Sequence, residues 1–314
     1  MTSLNIMINY SIANISGIDG LPTGTDDIFI YVIGYEERSR FVRSRLSTKC
    51  RAIAIDYRSE GRGDYDENAQ IAAELGDVVV AANHDIRDRV AGTLKRRADA
   101  PLRIFVDISC MDRTLMSEVL IALMQCLEGG DHASFLYTPA SFREPPLYLA
   151  PMRRFSAAIP DLAGPVGNPY KKRALIMGLG YEYGAALNVI DMIEPQYIHL
   201  FHPVGDDPRF LPFVKRANFD FEFGNASFDL SEYSISDPVN VHGIIRDLVV
   251  SLRDMSSVVI VPFGPKILSA VCILIALNNR DDVSLMRYSV ESIDYFPKTS
   301  SSGSIYGFNL ALEG

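Results

Sequence analysis

A three-residue motif occurs twice in this chain, each time after an apolar run. Gly-Tyr-Glu occupies positions 34–36 and again positions 180–182. At a similar distance downstream of each copy, a second apolar run leads into a basic residue and a long apolar segment, with Arg113 after the first copy and Lys266 after the second. Two ordered markers at similar spacing predict an internal duplication, which constrains the fold more strongly than a single motif does.

In both halves of the chain, short apolar runs alternate with longer helical patterns. This alternation is typical of a mostly parallel sheet covered by helices on both faces. The predicted fold class is therefore α/β, with two tandem Rossmann-like domains, mainly parallel sheets and an internal duplication. Residues 36–46 are expected to form an Arg-rich helix with a solvated basic face, 219–236 to be irregular, and 305–312 to form a last edge strand. Strands are expected at 28–33, 52–55, 77–81, 104–107, 133–137, 174–177, 197–201, 258–261 and 283–288.

The length of the chain also favours two domains. It has 314 residues, and a core of that size usually divides. Proline and glycine are frequent between 145 and 169, which is typical of a connecting segment. We therefore expect a first Rossmann-like domain over residues 1–158, a linker over 159–169 and a second Rossmann-like domain over 170–314.

The charge composition limits the class of partner. The formal net charge of −9 disfavours the binding of duplex nucleic acid, because a broad nucleic-acid interface needs a dense cationic surface. A small anionic ligand remains compatible, since a few local cations and backbone amides are enough to hold it. The chain has no uncharged apolar run of bilayer length, no secretory signal pattern and no CxxC pair, so we expect a cytoplasmic protein without a membrane span.

Both markers fall where an open parallel sheet binds its ligands, outside the carboxyl ends of the strands. The second marker of each half also opens a helix, where free backbone amides and the helix dipole favour an anion. Asp107 lies in an apolar strand and needs partners there, and the second half has no carboxylate at the matching place. The candidate ligand-binding residues are Gly34, Tyr35, Glu36, Arg38, Ser39, Ser109, Asp112, Arg113, Gly180, Tyr181, Glu182, His202, Gly264 and Lys266.

Each candidate also has a purely structural interpretation. The glycines fit turns, the tyrosines fit packing at the sheet edge, and the glutamates fit the first turn of a helix. His202 is predicted in a polar loop after a strand, where a histidine is often only solvated. The five histidines do not form a metal set, and no Walker A loop, GxSxG elbow or HExxH motif is present, so neither a metal nor a cofactor is expected.

Residues 106–116, Val-Asp-Ile-Ser-Cys-Met-Asp-Arg-Thr-Leu-Met, resemble a loop of the CRISPR-associated Rossmann fold (CARF) family and its SAVED-like relatives in prokaryotic antiviral signalling. In that family a strand leads into an Asp-hydrophobic-Ser/Thr-small-small-basic loop and then an apolar helix. Ser109 matches the hydroxyl position. Arg113 replaces the usual lysine one place later, and Cys110 and Met111 replace the glycines.

The loop of the second half resembles the same family in different positions. Gly264 and Lys266 keep the glycine and the lysine, while the aspartate and the hydroxyl are missing. The resemblance implies a sensor of a small anionic nucleotide, such as a cyclic oligonucleotide, bound between the carboxyl-end loops of the two domains. It implies that backbone amides with Arg113 and Lys266 hold phosphates, and that Tyr35 or Tyr181 stacks on a base.

Two other functions stay open at this point. One is an enzyme acting on a nucleotide or sugar phosphate, with Glu36 or Glu182 as the acid or base and a nearby cation stabilising charge. The other is a non-catalytic interaction subunit of a defence complex, which the degenerate loops favour. A separate effector subunit and a homo-oligomer are the partners that these interpretations allow.

Overall fold

The computed structural model describes residues 9–16, 21, 24–46, 50–94, 101–145, 151–165, 170–219, 228–290 and 298–313. The chain divides into two compact units. The first unit comprises Met1–Ser141 together with Asp294–Gly314, and the second comprises Phe142–Ile293. Each unit contains a mostly parallel sheet with interleaved helices, so the predicted α/β class with two domains is confirmed.

The strands are β1 (Tyr10–Ser16), β2 (Ile28–Ile33), β3 (Arg51–Asp56), β4 (Val78–Ala81), β5 (Arg103–Asp107), β6 (His132–Tyr137), β7 (Met152–Ala157), β8 (Lys172–Gly178), β9 (Tyr197–Val204), β10 (Asp229–Ser234), β11 (Ser256–Pro262), β12 (Val283–Val290) and β13 (Tyr306–Leu312). The α-helices are α1 (Tyr65–Glu74), α2 (Ile86–Thr93), α3 (Arg113–Cys126), α4 (Ala185–Ile193), α5 (Leu211–Phe219), α6 (Pro238–Leu252) and α7 (Lys266–Asn278). Short 3-10 turns span Glu37–Arg40, Arg43–Arg45, Pro160–Leu162 and Pro208–Phe210.

The two sheets share one strand order. The first sheet runs β1-β13-β6-β5-β2-β3-β4, and the second runs β7-β12-β11-β8-β9-β10. Numbered along the chain, the five parallel strands of each sheet lie in the order 5-4-1-2-3, and an antiparallel strand borders the fifth. This common topology supports the expected internal duplication. That the two units arose from one ancestral domain stays a prediction.

The antiparallel sixth strands are exchanged along the chain. β7 follows the fifth strand of the first unit but pairs with β12 in the second sheet. β13 follows the fifth strand of the second unit but pairs with β6 and β1 in the first sheet. The strand pairing therefore differs from the expected division into 1–158, 159–169 and 170–314. It also shows that residues 306–312 are not an edge strand, since they lie between two others.

Each sheet is buried because helices cover it. Every residue of β2 and β11 is buried, as expected for central parallel strands. Residues 267–277 of α7 are buried without interruption. The helix α3 contacts α2 in the first unit, and α7 contacts α6 in the second. The cores thus follow the apolar runs that predicted the elements.

The expected helix over residues 36–46 is wrong. The segment forms two 3-10 turns, and Arg43 points inward instead of into solvent. Its guanidinium donates to both carboxylate oxygens of Asp77, with Nε–Oδ2 and Nη2–Oδ1 distances of 2.7 and 2.6 Å, and Tyr31 donates to the same carboxylate. A buried charge needs such a bidentate partner. Arg43 reaches Asp77 from the second 3-10 turn. The strands β1, β7 and β10 were not predicted either.

Two structural facts bear on the class of protein. Among the described residues, no helix has both the length and the apolarity needed to cross a bilayer. Within the same ranges, no group of three or more His, Cys, Asp or Glu side chains is arranged to hold a metal ion.

The strand exchange makes a prediction about Phe308, a fully buried residue of β13 whose ring stacks on Phe135 at a centroid distance of 5.0 Å. Phe308→Ala should lower the free energy of unfolding by about 3–5 kcal/mol, because it leaves a cavity. Amide hydrogen exchange should accelerate in β6 while β11 keeps its protection. Glu313→Ala, an exposed change just beyond the same strand, serves as the control. Faster exchange in β11 than in β6 would contradict the pairing of the C-terminal strand.

Candidate functional site

The two markers of the first unit meet at one edge of its sheet. β2 and β5 are parallel neighbours, so the loops that follow them leave in the same direction. Gly34 follows β2 and lies against Cys110, which follows β5: a Cβ built on this glycine would be 3.8 Å from the Cys110 Cβ. Gly34 N also donates to the buried Ser39 Oγ at 3.2 Å. This geometry fits the expectation that both markers lie outside the carboxyl ends of the strands.

The markers of the second unit approach still more closely. β8 and β11 are parallel neighbours, and a Cβ built on Gly180 would lie 2.8 Å from Gly264 N. Gly264 has φ of +76°, and a Cβ there would strike the Leu179 carbonyl oxygen. A side chain at either glycine would force the loops apart. The carboxylate of Glu182 lies directly over Gly180.

Charge is concentrated in the first unit's edge. Arg38 Nε donates to Glu36 Oε2 at 2.5 Å, and its Nη1 donates to the Thr138 carbonyl oxygen at 3.1 Å. The two side chains are only 11% and 17% exposed. Burial raises the pKa of the neighbouring Tyr35 to about 12, and the charge of Glu36 adds to this rise. A partly buried ion pair therefore lies beside the marker tyrosine.

Asp107 ends β5 behind this ion pair and is buried. Its Oδ1 accepts hydrogen bonds from Ser109 N at 2.9 Å and Ser109 Oγ at 2.5 Å, while Ser109 Oγ in turn accepts from Thr138 N at 2.8 Å. Asp107 Oδ2 and Thr138 Oγ1 have no hydrogen-bond partner among the described residues. Burial raises the pKa of Asp107 to about 6, although the hydrogen bonds from Ser109 and the charge of Arg38 oppose the rise. The neutral form of this carboxyl group is thus favoured more than in an exposed aspartate.

The predicted cations occupy the first positions of α3 and α7. Arg113 begins α3, and Asp112 caps that helix by accepting a hydrogen bond from Leu115 N at 2.9 Å. Lys266 begins α7, whose N-cap residue, Pro265, makes no side-chain cap. A helix start with a cation favours an anion. The carboxylate of Asp112, by contrast, has a structural role.

His202 is not in a loop as expected. β9 continues to Val204, and His202 lies within it with 1% exposure. Burial lowers the pKa of His202, so its neutral form is favoured. Its place inside a strand differs from the polar loop in which this histidine was predicted.

Two asparagines, which no sequence pattern had indicated, hold the first markers in place. Asn68 in α1 donates from Nδ2 to the Gly34 carbonyl oxygen at 2.8 Å and to the Glu36 carbonyl oxygen at 2.9 Å. Asn218 in α5 donates to the Gly180 carbonyl oxygen at 2.8 Å. Both are buried, and each belongs to the helix that follows the second parallel strand of its unit. The two units therefore fix the marker glycine by the same device.

The C-terminal segment that precedes β13 also borders the first unit's edge. Arg38 N donates to the Thr299 carbonyl oxygen at 3.4 Å. Ser141 N donates to the Ser300 carbonyl oxygen at 2.9 Å, and Lys298 Nζ lies 3.3 Å from Asp64 Oδ1. The sequence prediction had assigned this segment to the other domain, so it missed these residues.

No protein-family model matches the chain, and no curated protein matches it. Among solved structures, the chain is similar to a type III CRISPR defence DNA nuclease activated by cyclic oligoadenylate, with a TM-score of 0.46 and 10% sequence identity. That similarity covers 83% of this chain and 65% of the nuclease chain.

The chain is also similar to a second solved structure, phosphoethanolamine N-methyltransferase 1 from Haemonchus contortus, with a TM-score of 0.23 and 8% sequence identity. That similarity covers 93% of this chain and 89% of the methyltransferase chain.

The asparagine contacts predict a stability effect. Asn68→Ala should lower the free energy of unfolding by roughly 1–3 kcal/mol, because two buried carbonyl groups lose their donor. Amide exchange over residues 35–39 should accelerate at the same time. Gln70→Ala, on an exposed position of the same helix, is the matched control. Equal stabilities of the two variants in chemical denaturation would contradict the proposed role of Asn68.

Proposed function

We propose that the protein senses a small anionic nucleotide of the cyclic-oligonucleotide class, bound at the carboxyl-end loops that carry the repeated markers. The observation that supports this most is the contact of the two markers within each unit, at Gly34 with Cys110 and at Gly180 with Gly264. In each unit the contact joins a marker loop to a helix start that carries a cation. Such a combination suits phosphate groups.

The chemistry of the first unit's edge fits an anion that arrives from solvent. Arg113 and the amides at the start of α3 supply positive charge and donors. Arg38 adds a guanidinium that Glu36 neutralises in the absence of ligand. A phosphate would compete with this carboxylate for the same guanidinium, so binding would loosen the contacts that Arg38 makes with Thr138 and Thr299.

The two edges differ in what they offer a ligand. The first has the Glu36–Arg38 pair and the buried Asp107, while the second has two closely packed glycine loops and Lys266. A role in prokaryotic antiviral signalling follows from the resemblance of residues 106–116 to the CARF loop. In this role a separate effector subunit would act on the signal.

Calorimetry tests the proposal directly. Wild-type protein is titrated with cyclic oligoadenylates of several ring sizes, which include the class that activates the nuclease of similar fold, and with their linear counterparts. We expect one member to bind, and Arg113→Ala to weaken it by about tenfold or more, because a charge-assisted contact is lost.

Arg103→Ala is the matched control for this titration. It removes the same charge from the amino end of β5, whereas Arg113 follows the carboxyl end. Its affinity should equal that of the wild type. Folded wild-type protein that binds no member of the panel, or an equal loss of affinity in both variants, overturns the proposal.

A further inference from the structure

Aromatic side chains gather at one place in the second unit. Phe210 lies 5.0 Å from Phe142 and 5.7 Å from Tyr181, measured between ring centroids. Phe213 lies 5.7 Å from Phe142. We call these four rings, together with Arg209, the aromatic platform.

The platform lies at the carboxyl end of two neighbouring parallel strands. Tyr181 belongs to the marker that follows β8, and Phe210 belongs to the 3-10 turn that follows β9. All four rings are only partly buried. The core aromatics Phe201 and Phe263 of the same unit are 0% and 4% exposed. The platform is thus partly exposed at the carboxyl-end edge of the sheet, although Tyr181 also packs against the core.

A cation is fixed against these rings. The guanidinium carbon of Arg209 lies 4.8 Å from the Phe142 ring centre. Asp207 orients it through two hydrogen bonds, Nε–Oδ1 at 2.9 Å and Nη2–Oδ2 at 2.6 Å. The Arg209 side chain is nevertheless 65% exposed. A guanidinium over an aromatic ring extends the surface on which a planar group can pack, and it brings charge to that surface.

The first unit has no such platform at the matching loop. Its second parallel strand is followed by Tyr57, whose hydroxyl accepts a hydrogen bond from Asp112 N at 2.8 Å, and then by residues 58–64, which contain no aromatic side chain. The two edges therefore differ. The first has the partly buried Glu36–Arg38 ion pair, and the second has the aromatic platform with its arginine.

We propose that the aromatic platform is a base-stacking subsite that takes the planar ring of a nucleobase. This inference rests on the proposed nucleotide function and specifies which part of the ligand the second unit holds. Aromatic side chains at the surface stack on any base because every base has a π-face. Tyr181 and Phe210, inclined by 30° to each other, provide the faces, and Arg209 provides the charge for an adjacent phosphate.

The chain contains no tryptophan, so a fluorescent base can be excited without background. The probe is 2-aminopurine ribonucleoside 5′-monophosphate, whose fluorescence is quenched when the base stacks. Anisotropy reports binding, and intensity reports stacking. We expect wild-type protein to raise the anisotropy and quench the intensity. Phe210→Leu keeps an apolar side chain without a ring, and should weaken binding by about tenfold and remove the quenching.

Phe228→Leu is the matched control, since it makes the same change at another exposed phenylalanine of the second unit. It should behave as the wild type does. Binding without quenching that survives Phe210→Leu overturns the platform but leaves the proposed nucleotide function standing. No binding of the probe at millimolar concentration also overturns the platform, whatever the calorimetric panel gives. Self-association that Phe210→Leu abolishes, without probe binding, would assign the rings to a second copy of the chain instead.

Discussion

Parallel pairing of β2 with β5 and of β8 with β11 determines where the loops that carry the two markers lie. Parallel neighbours end at the same edge, so the loops that follow them must meet there. Hydrogen bonds from Asn68 and Asn218 to the marker glycines then fix the loops against the sheet. The cations at the starts of α3 and α7, the Glu36–Arg38 pair and the rings around Tyr181 all depend on this one arrangement.

The first unit includes a strand from a distant part of the chain. β13 lies between β6 and β1, so the C-terminus completes the first sheet. The segment before β13 reaches the backbone of Arg38 through Thr299. A ligand that moves Arg38 would therefore act on a segment that comes directly after the second unit in the chain.

The sequence predicted the α/β class, most parallel strands and the meeting of the markers, because each follows from local periodicity and from the direction of parallel strands. It did not predict that β13 pairs with β6 and β1. The local pattern of residues 306–312 predicts a strand, whereas the choice of its neighbours depends on strands far away in the sequence. Arg43 was expected in solvent because no pattern reveals its ion pair with Asp77. His202 was misplaced because its strand continues through Pro203, a residue that normally ends one.

The central claim is that the carboxyl-end loops of the first unit form a ligand edge. Amide hydrogen exchange, with and without a saturating concentration of the oligonucleotide that binds in the calorimetric panel, measures this most directly. The account predicts added protection over residues 34–40 and 108–115, and unchanged exchange at the amino ends of the same strands, at residues 26–28 and 101–103. Protection confined to the amino ends, while the ligand is bound, would contradict it.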